Sequence, residues 1–318
     1  PLTWRPVSSR GKARLSICSA EPTVPMLALK VDVDTWRGTR DGVPRLVALL
    51  SRLGIPATFL FSVGPDHTGR ALRRVFRRGF LSKVRRTSVT ANYGLQTLLY
   101  GTLLPGPDIG RRCRNDMRAV RKAGFETGLH SFDHVKWQDG VASATPIWTR
   151  AELQRGCEAY QRIFSEPPQV HGAAGWQLNA NVPGIEAALG FTFASDTRGR
   201  SPFQPIGGGV PQLPTTLPTL DELIGRDDLT NPDPVETLLA MTRQPPASGH
   251  VFTLHAELEG GAYAAVFERL LEGWRRQGYQ FTDLGGMYRQ LGSRTLATCN
   301  IVVGTVPGRS GTLALQGP

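Results

Sequence analysis

Three stretches of the 318-residue chain place metal-ligating or proton-transferring side chains close together. The first is Lys30-Val31-Asp32-Val33-Asp34-Thr35, with carboxylates at i and i+2. On an extended strand that spacing sets both on one face. Two acids side by side need a cation or a proton between them, because like charges otherwise raise one pKa. The second is His130-Ser131-Phe132-Asp133-His134. Two imidazoles four residues apart at a strand end can turn toward one cation and suit zinc or a similar divalent ion. The third is His255-Ala256-Glu257, where a histidine could protonate a leaving group. Taken singly, each has an ordinary alternative: solvated acids, an incidental histidine pair, a satisfied half-buried histidine. Only six histidines occur in the chain, so their concentration after strands favours one shared site. One carboxylate and two histidines leave coordination positions open, as a catalytic metal site requires.

The elements that must position these residues follow from the apolar pattern. Short β-rich runs occur at Leu27 to Val33, Ala57 to Phe61, Glu126 to His130, Gln169 to Ala173, Phe191 to Ala194, Val251 to His255 and Tyr279 to Thr282. Amphipathic helical stretches lie between several of them: Val43 to Leu53, Ile109 to Ala123, Arg150 to Phe164 and Ala262 to Gln277. Alternation of strand and helix predicts an α/β fold, an irregular seven-stranded (β/α) barrel. In such barrels the working residues sit at the C-terminal strand ends, where all three stretches fall.

Residues 1–25 show no periodicity and read as a tail or a misplaced start ahead of Met26. Residues 26–292 read as one domain, interrupted by an insertion over 67–105 and a Pro/Gly-rich loop over 201–234, and residues 293–318 as an extended tail. Loops of that length are usually functional or poorly ordered. Cys18, Cys113, Cys157 and Cys299 are widely spaced and read as free thiols of a reducing compartment. No apolar run is long enough for a membrane span, and no export signal is visible.

The formal charge of +11 predicts attraction to something anionic. Much of it is local: Arg70 to Arg86 holds eight basic residues and no acid, with Leu72, Phe76, Phe80 and Val84 recurring every four residues. An apolar stripe with cationic flanks describes either an interfacial helix or a solvated helix packed on the barrel. On the first reading Arg70, Arg73, Arg74, Phe76, Arg77, Arg78 and Phe80 meet the membrane. Each cation near an anionic leaflet contributes roughly 1 kcal/mol. Arg37 and Arg40, just past the paired acids, are candidates for binding a substrate phosphate, or are surface arginines on a loop.

The three motifs, D-x-D, H-S-x-x-H and L-H after their respective strands, resemble those of the NodB-homology polysaccharide deacetylases. Longer stretches, VDVDTWRGTRDGVPRL, ETGLHSFDH, AAGWQ, SDTRG, PQLPTTLPTLDELIG and FTLHAELEG, are similar to a deformylase subgroup acting on undecaprenyl-phosphate-linked 4-deoxy-4-formamido-L-arabinose. The resemblance spans roughly residues 26 to 290. It implies Asp34, His130 and His134 as ligands of one divalent ion (Zn, Mn, Co or Ni), Asp32 as general base and His255 as general acid. It further implies a backbone N–H near Gly175 or Trp176 at the oxyanion, and Asp196 beside the substrate. The product amine would serve lipid A modification and polymyxin resistance, which implies a peripheral enzyme on the cytoplasmic face of the bacterial inner membrane. The chain departs from the wider family at His171-Gly172-Ala173-Ala174-Gly175-Trp176, where relatives carry an arginine that pairs with the base. What orients Asp32 is then Asp196-Thr197-Arg198 or another group.

Two other functions compete with this one. An N-acetyl-glycan deacetylase would keep the metal site and change the substrate. A non-catalytic protein could use the basic stretch on membrane or nucleic acid, but no nucleic-acid motif accompanies the charge and no stacking aromatics interleave with it.

Overall fold

The computed structural model describes residues 24–71 and 97–318. All seven expected strands are present and pair in parallel: β1 (Met26–Val33), β2 (Thr58–Ser62), β3 (Glu126–Ser131), β4 (Val170–His171), β5 (Phe193–Ala194), β7 (His250–His255) and β8 (Gln280–Thr282). A short strand β6 (Phe203–Pro205) lies outside this sheet. The order is β5-β4-β3-β2-β1-β7, and β8 pairs with the start of β1. The first two strands are buried on both faces, which is why they read as nearly unbroken apolar runs.

The helices cover the outside: α1 (Val43–Leu53), α2 (Ile109–Arg112), α3 (Arg114–Lys122), α4 (His134–Gly140), α5 (Pro146–Phe164), α6 (Val182–Leu189), α7 (Leu220–Leu223), α8 (Pro234–Met241), α9 (Ala264–Arg276) and α10 (Leu284–Leu291). Their boundaries follow local chemistry. Helix α1 has proline in its first turn and ends at Gly54, which takes φ +61. Thr145 caps α5 by accepting from the Trp148 amide, with Pro146 opening the helix. Val43, Leu46 and Leu50 form the buried stripe of α1, which joins Phe59, Leu254, Phe267 and Trp274 in the main core. The single helix expected over 109–123 is two, because Cys113 leaves helical geometry at φ −107, ψ 20.

The sheet curls but strand pairing does not close it. Residues 211–216 fill the seam: Leu213 N–H donates to Ala194 O at 2.7 Å on the β5 side, and Thr216 N–H to Val251 O at 3.0 Å on the β7 side. The Pro/Gly-rich stretch thus contains the wall that completes the barrel, as well as β6 and α7.

The C-terminal stretch is extended and also packed. Strand β9 (Ala297–Cys299) pairs in parallel with β6, and β10 (Ile301–Gly304) forms a hairpin with β11 (Leu313–Gln316). The Arg198 amide donates to Ala314 O, the Gln316 amide to Arg198 O, and Leu313 is buried. At the described ends of the insertion, Tyr100 packs edge-on to Trp36 and Leu103 is exposed. Arg70 donates to Gly101 O. Arg73, Arg74, Phe76, Arg77, Arg78 and Phe80 lie outside the described residues, as do residues 1–23. Among the described residues no helix is long and apolar enough to cross a membrane. Cys113, Cys157 and Cys299 are free thiols.

Candidate active site

Strand alternation aims Lys30, Asp32 and Asp34 at one face of β1 and into the C-terminal mouth of the barrel. His130 is next to last in β3, and His134 opens α4, whose N-cap Asp133 accepts from the Lys136 amide. Asp133 also meets the His67 ring at 2.6 Å. His130 Nε2 lies 3.1 Å from Asp34 Oδ1 and His134 Nε2 lies 3.4 Å from Asp34 Oδ2. One ligand atom from each of the three residues falls within 4.8 Å of the others.

The donors fit a divalent cation. His130 Nδ1 donates to Gly172 O at 2.6 Å, since a carbonyl can only accept, and this leaves Nε2 as the ligating lone pair. Asp34 Oδ1 is buried without a hydrogen-bond partner in the protein. Burial pushes the Asp34 carboxyl up, yet His134 and His130 outweigh it and hold the group well below the usual carboxylate range. The turn behind it is fixed by Glu257, whose Oε1 accepts from Asp34 N–H, Thr35 N–H and the Thr35 hydroxyl. A Cβ at Gly38 would meet that same oxygen at 2.0 Å, so a side chain there would displace Glu257 from this position.

Asp32 and His255 are register partners on adjacent strands, which places them about 4.8 Å apart in the backbone. Asp32 Oδ2 lies 3.5 Å from Lys30 Nζ, while Oδ1 has no hydrogen-bond partner in the protein and stands 3.9 Å from His130 Nδ1. Burial lowers the Lys30 pKa, with Asp32 and Asp196 acting against it. At His255, burial favours the neutral ring but Asp221, 4.0 Å from Nδ1, together with Asp34, Glu259 and Asp32 raises the pKa overall. The His255 amide donates to Glu259 Oε2, and the ring meets Trp176 edge-on.

Asp32, Asp34, His130, His134 and His255 therefore converge. The other candidates divide. Trp176 is buried, its indole N–H donates to the Thr215 hydroxyl and its amide donates to Ala173 O, so of the two expected oxyanion amides this one is already engaged. Asp196 is wholly buried and accepts from the Ala173 amide and Gln212 Nε2, which corrects its expected place against the substrate: it holds the Ala173–Trp176 turn from behind. Arg40 forms a paired contact with Asp41 at 2.6 Å and lies over the Trp36 ring; Arg37 sits 3.8 Å from the same carboxylate.

Residues outside the expected set also contribute. Lys30 reads in the sequence as one polar break in an apolar run, and Arg309 as part of a tail. In the fold Arg309 stacks over Trp176 at 4.5 Å and approaches Gly175 O. A second group, His171, Glu186 and Asp196, is wholly buried, with His171 Nδ1 at 2.5 Å from Glu186 and 3.1 Å from Asp196. The 2.5 Å between His171 and Glu186 is a hydrogen-bond distance, shorter than two ligand atoms of one ion would keep. Burial opposes charge on His171, but Asp196 and Glu186 raise it to about 10.

The model of the family described as "Polysaccharide deacetylase" matches residues 20–194. A protein of Shewanella sediminis (strain HAW-EB3), named "Probable 4-deoxy-4-formamido-L-arabinose-phosphoundecaprenol deformylase ArnD", is 36% identical over 83% of this chain and 86% of its own. A protein of the same name from Wigglesworthia glossinidia brevipalpis is 32% identical over 88% of this chain and 98% of its own. A crystal structure from Mycobacterium smegmatis, described as a polysaccharide deacetylase, shares the fold with a TM-score of 0.58 at 17% identity, covering 90% of this chain and 97% of that one. With over half its length matched and both relatives above 30% identity, the chain belongs to the polysaccharide deacetylase family.

Proposed function

We propose that this protein hydrolyses the formamide of undecaprenyl-phosphate-linked 4-deoxy-4-formamido-L-arabinose, releasing formate and the 4-amino sugar lipid used for lipid A modification and polymyxin resistance. The observation that carries the reading is the convergence of Asp34, His130 and His134 beside Asp32 and His255 at one barrel mouth. The names of the two curated relatives supply the substrate.

Asp34, His130 and His134 would hold one divalent ion, Zn, Mn, Co or Ni. When bound, such an ion polarises the amide carbonyl and makes water a better nucleophile. Asp32 Oδ1, the carboxylate oxygen with no protein partner, takes the proton from the attacking water. His255, whose pKa is raised by its acidic neighbours, returns a proton to the departing amine. The Gly175 amide donates to the developing oxyanion. Arg37 and Arg40, which pair with Asp41 just past β1, are the candidates for binding the lipid phosphate. Together with Arg70 and the basic run behind it, they favour a peripheral position on the cytoplasmic face of the inner membrane.

Formate release from the lipid-linked formamido sugar, by wild type, Asp32→Asn and His255→Ala with metal content determined for each, tests the proposal. Turnover by the wild type alone, with metal retained in both variants, supports it. No formate from metal-loaded wild type, with acetate released from N-acetylated oligosaccharides, would move the substrate to N-acetyl glycans. Binding to anionic vesicles without turnover of either substrate would leave a non-catalytic membrane protein.

A further inference from the structure

We infer that Lys30 is the positioning residue of Asp32: an ammonium supplied from two residues upstream on the same strand locks one carboxylate oxygen and leaves the other free to accept a proton. The inference rests on the reading of Asp32 as the base.

Several observations support it. The turn after β4, Gly172-Ala173-Ala174, carries no lysine or arginine, and His171 before it is paired with Glu186 and Asp196. Arg198, the nearby alternative, is committed elsewhere: Nη1 donates to Glu222 at 2.7 Å and Nη2 to Leu217 O at 2.9 Å. Lys30 is wholly buried, with Nζ donating to Ser195 O at 2.8 Å and lying 3.5 Å from Asp32 Oδ2. Its ammonium also faces the Trp176 ring at 5.2 Å. The end of β4 is shaped to admit it: a Cβ at Gly172 would stand 2.4 Å from Leu60 Cδ1, 3.1 Å from Lys30 Cε and 3.3 Å from Lys30 Nζ. Glycine at 172 and lysine at 30 therefore make one fitted unit in which the cation comes from β1.

The alternative role is purely structural, and turnover of the folded variants separates the two. Removing one member of a buried ion pair leaves the other charge uncompensated and destabilises the fold. Asp32 is 3% exposed, so Lys30→Met lowers stability on either role. A lysine kept only for packing could be exchanged for methionine with little effect on turnover. A lysine that fixes the base could not.

The test uses full-length metal-loaded wild type, Lys30→Met, Lys30→Arg, Asp32→Asn and the double variant Lys30→Met/Asp32→Asn, with kcat, KM and metal content measured. The expected result for Lys30→Met is a kcat lower by about 100-fold or more, with KM within about threefold and metal content unchanged. Lys30→Arg should recover part of the loss, and Lys30→Met should add less than about threefold to the loss in Asp32→Asn, because both act on one group. Should Lys30→Met not fold, Lys30→Gln is compared with Lys30→Arg by the same criteria. A methionine or glutamine variant with kcat within about threefold of wild type, or losses that multiply in the double variant, would overturn the inference. An inactive wild type, or an Asp32→Asn variant as active as wild type, would instead defeat the reading of the site itself.

Discussion

Glu257 reaches from the loop after β7 to the end of β1 and accepts from the Thr35 amide at 2.9 Å and the Thr35 hydroxyl at 2.7 Å. The same oxygen takes the Asp34 amide at 3.2 Å. One buried side chain thus sets the backbone from which Asp34 projects. Glu257→Ala should weaken divalent-metal binding by about 10- to 100-fold, as loss of a group that orients a ligand does. Glu257→Gln keeps an amide oxygen that can accept these bonds and should stay within about threefold of wild type. Calorimetric titration of the demetallated proteins distinguishes them; equal affinity in wild type and the alanine variant would remove Glu257 from the site.

The three ligand residues make a prediction about stability as well as binding. A ligand at about a hundredfold excess over Kd stabilises the folded state by about 2.7 kcal/mol. Adding Zn or Mn to demetallated wild type should therefore raise the unfolding midpoint. His134→Ala and Asp34→Ala should show little of this response and should purify with less than about 0.1 ion per chain. A full metal-induced shift in His134→Ala would place the ion elsewhere.

Much of the site was readable in the sequence because the relevant residues end strands that are buried on both faces. Runs such as Leu27 to Val33 carry an unambiguous apolar signal, and Asp32, Asp34, His130 and His255 stand at or near the ends of such runs. Lys30 was not readable, because a lysine inside an apolar run shows nothing of the glycine after β4 that makes room for it. The barrel seam at residues 211–216 was equally hidden: its prolines break alternation, and its pairing with Ala194 and Val251 uses isolated backbone bonds rather than a ladder. Asp196 looked available to substrate because sequence cannot show that Ala173, His171 and Gln212 surround it.

The C-terminal stretch teaches the same lesson about non-local pairing and is directly testable. Its strands pair with β6 and with each other, and its buried Leu313 and Ala314 lie beside the backbone of Arg198. Leu313→Ala should cost about 2 to 4 kcal/mol in denaturant unfolding, the usual range for a buried leucine. Val303→Ala, on the exposed side of the same hairpin, should cost less than about 0.5 kcal/mol. Equal and small effects at both positions would mean that the hairpin contributes no packing to the barrel.

His250 starts β7 beside the seam, with Nδ1 at 3.0 Å from the Thr216 hydroxyl and Nε2 buried without a partner. Burial lowers its pKa to about 4, below the roughly 6.5 of an unfolded histidine. Between those values the unfolded chain binds a proton that the folded chain refuses, so stability falls as pH drops through this window and is fully present above about 6.5. Protonation would also turn Nδ1 into a donor facing a hydroxyl that already accepts the Val251 amide. His250→Gln removes this titration. Wild type should therefore lose on the order of 1 kcal/mol more stability than His250→Gln between pH 7 and pH 5, a figure reduced for partial exposure of the ring. Denaturant unfolding at the two pH values measures the difference; parallel losses in both proteins would show that the seam carries no histidine-linked acid sensitivity.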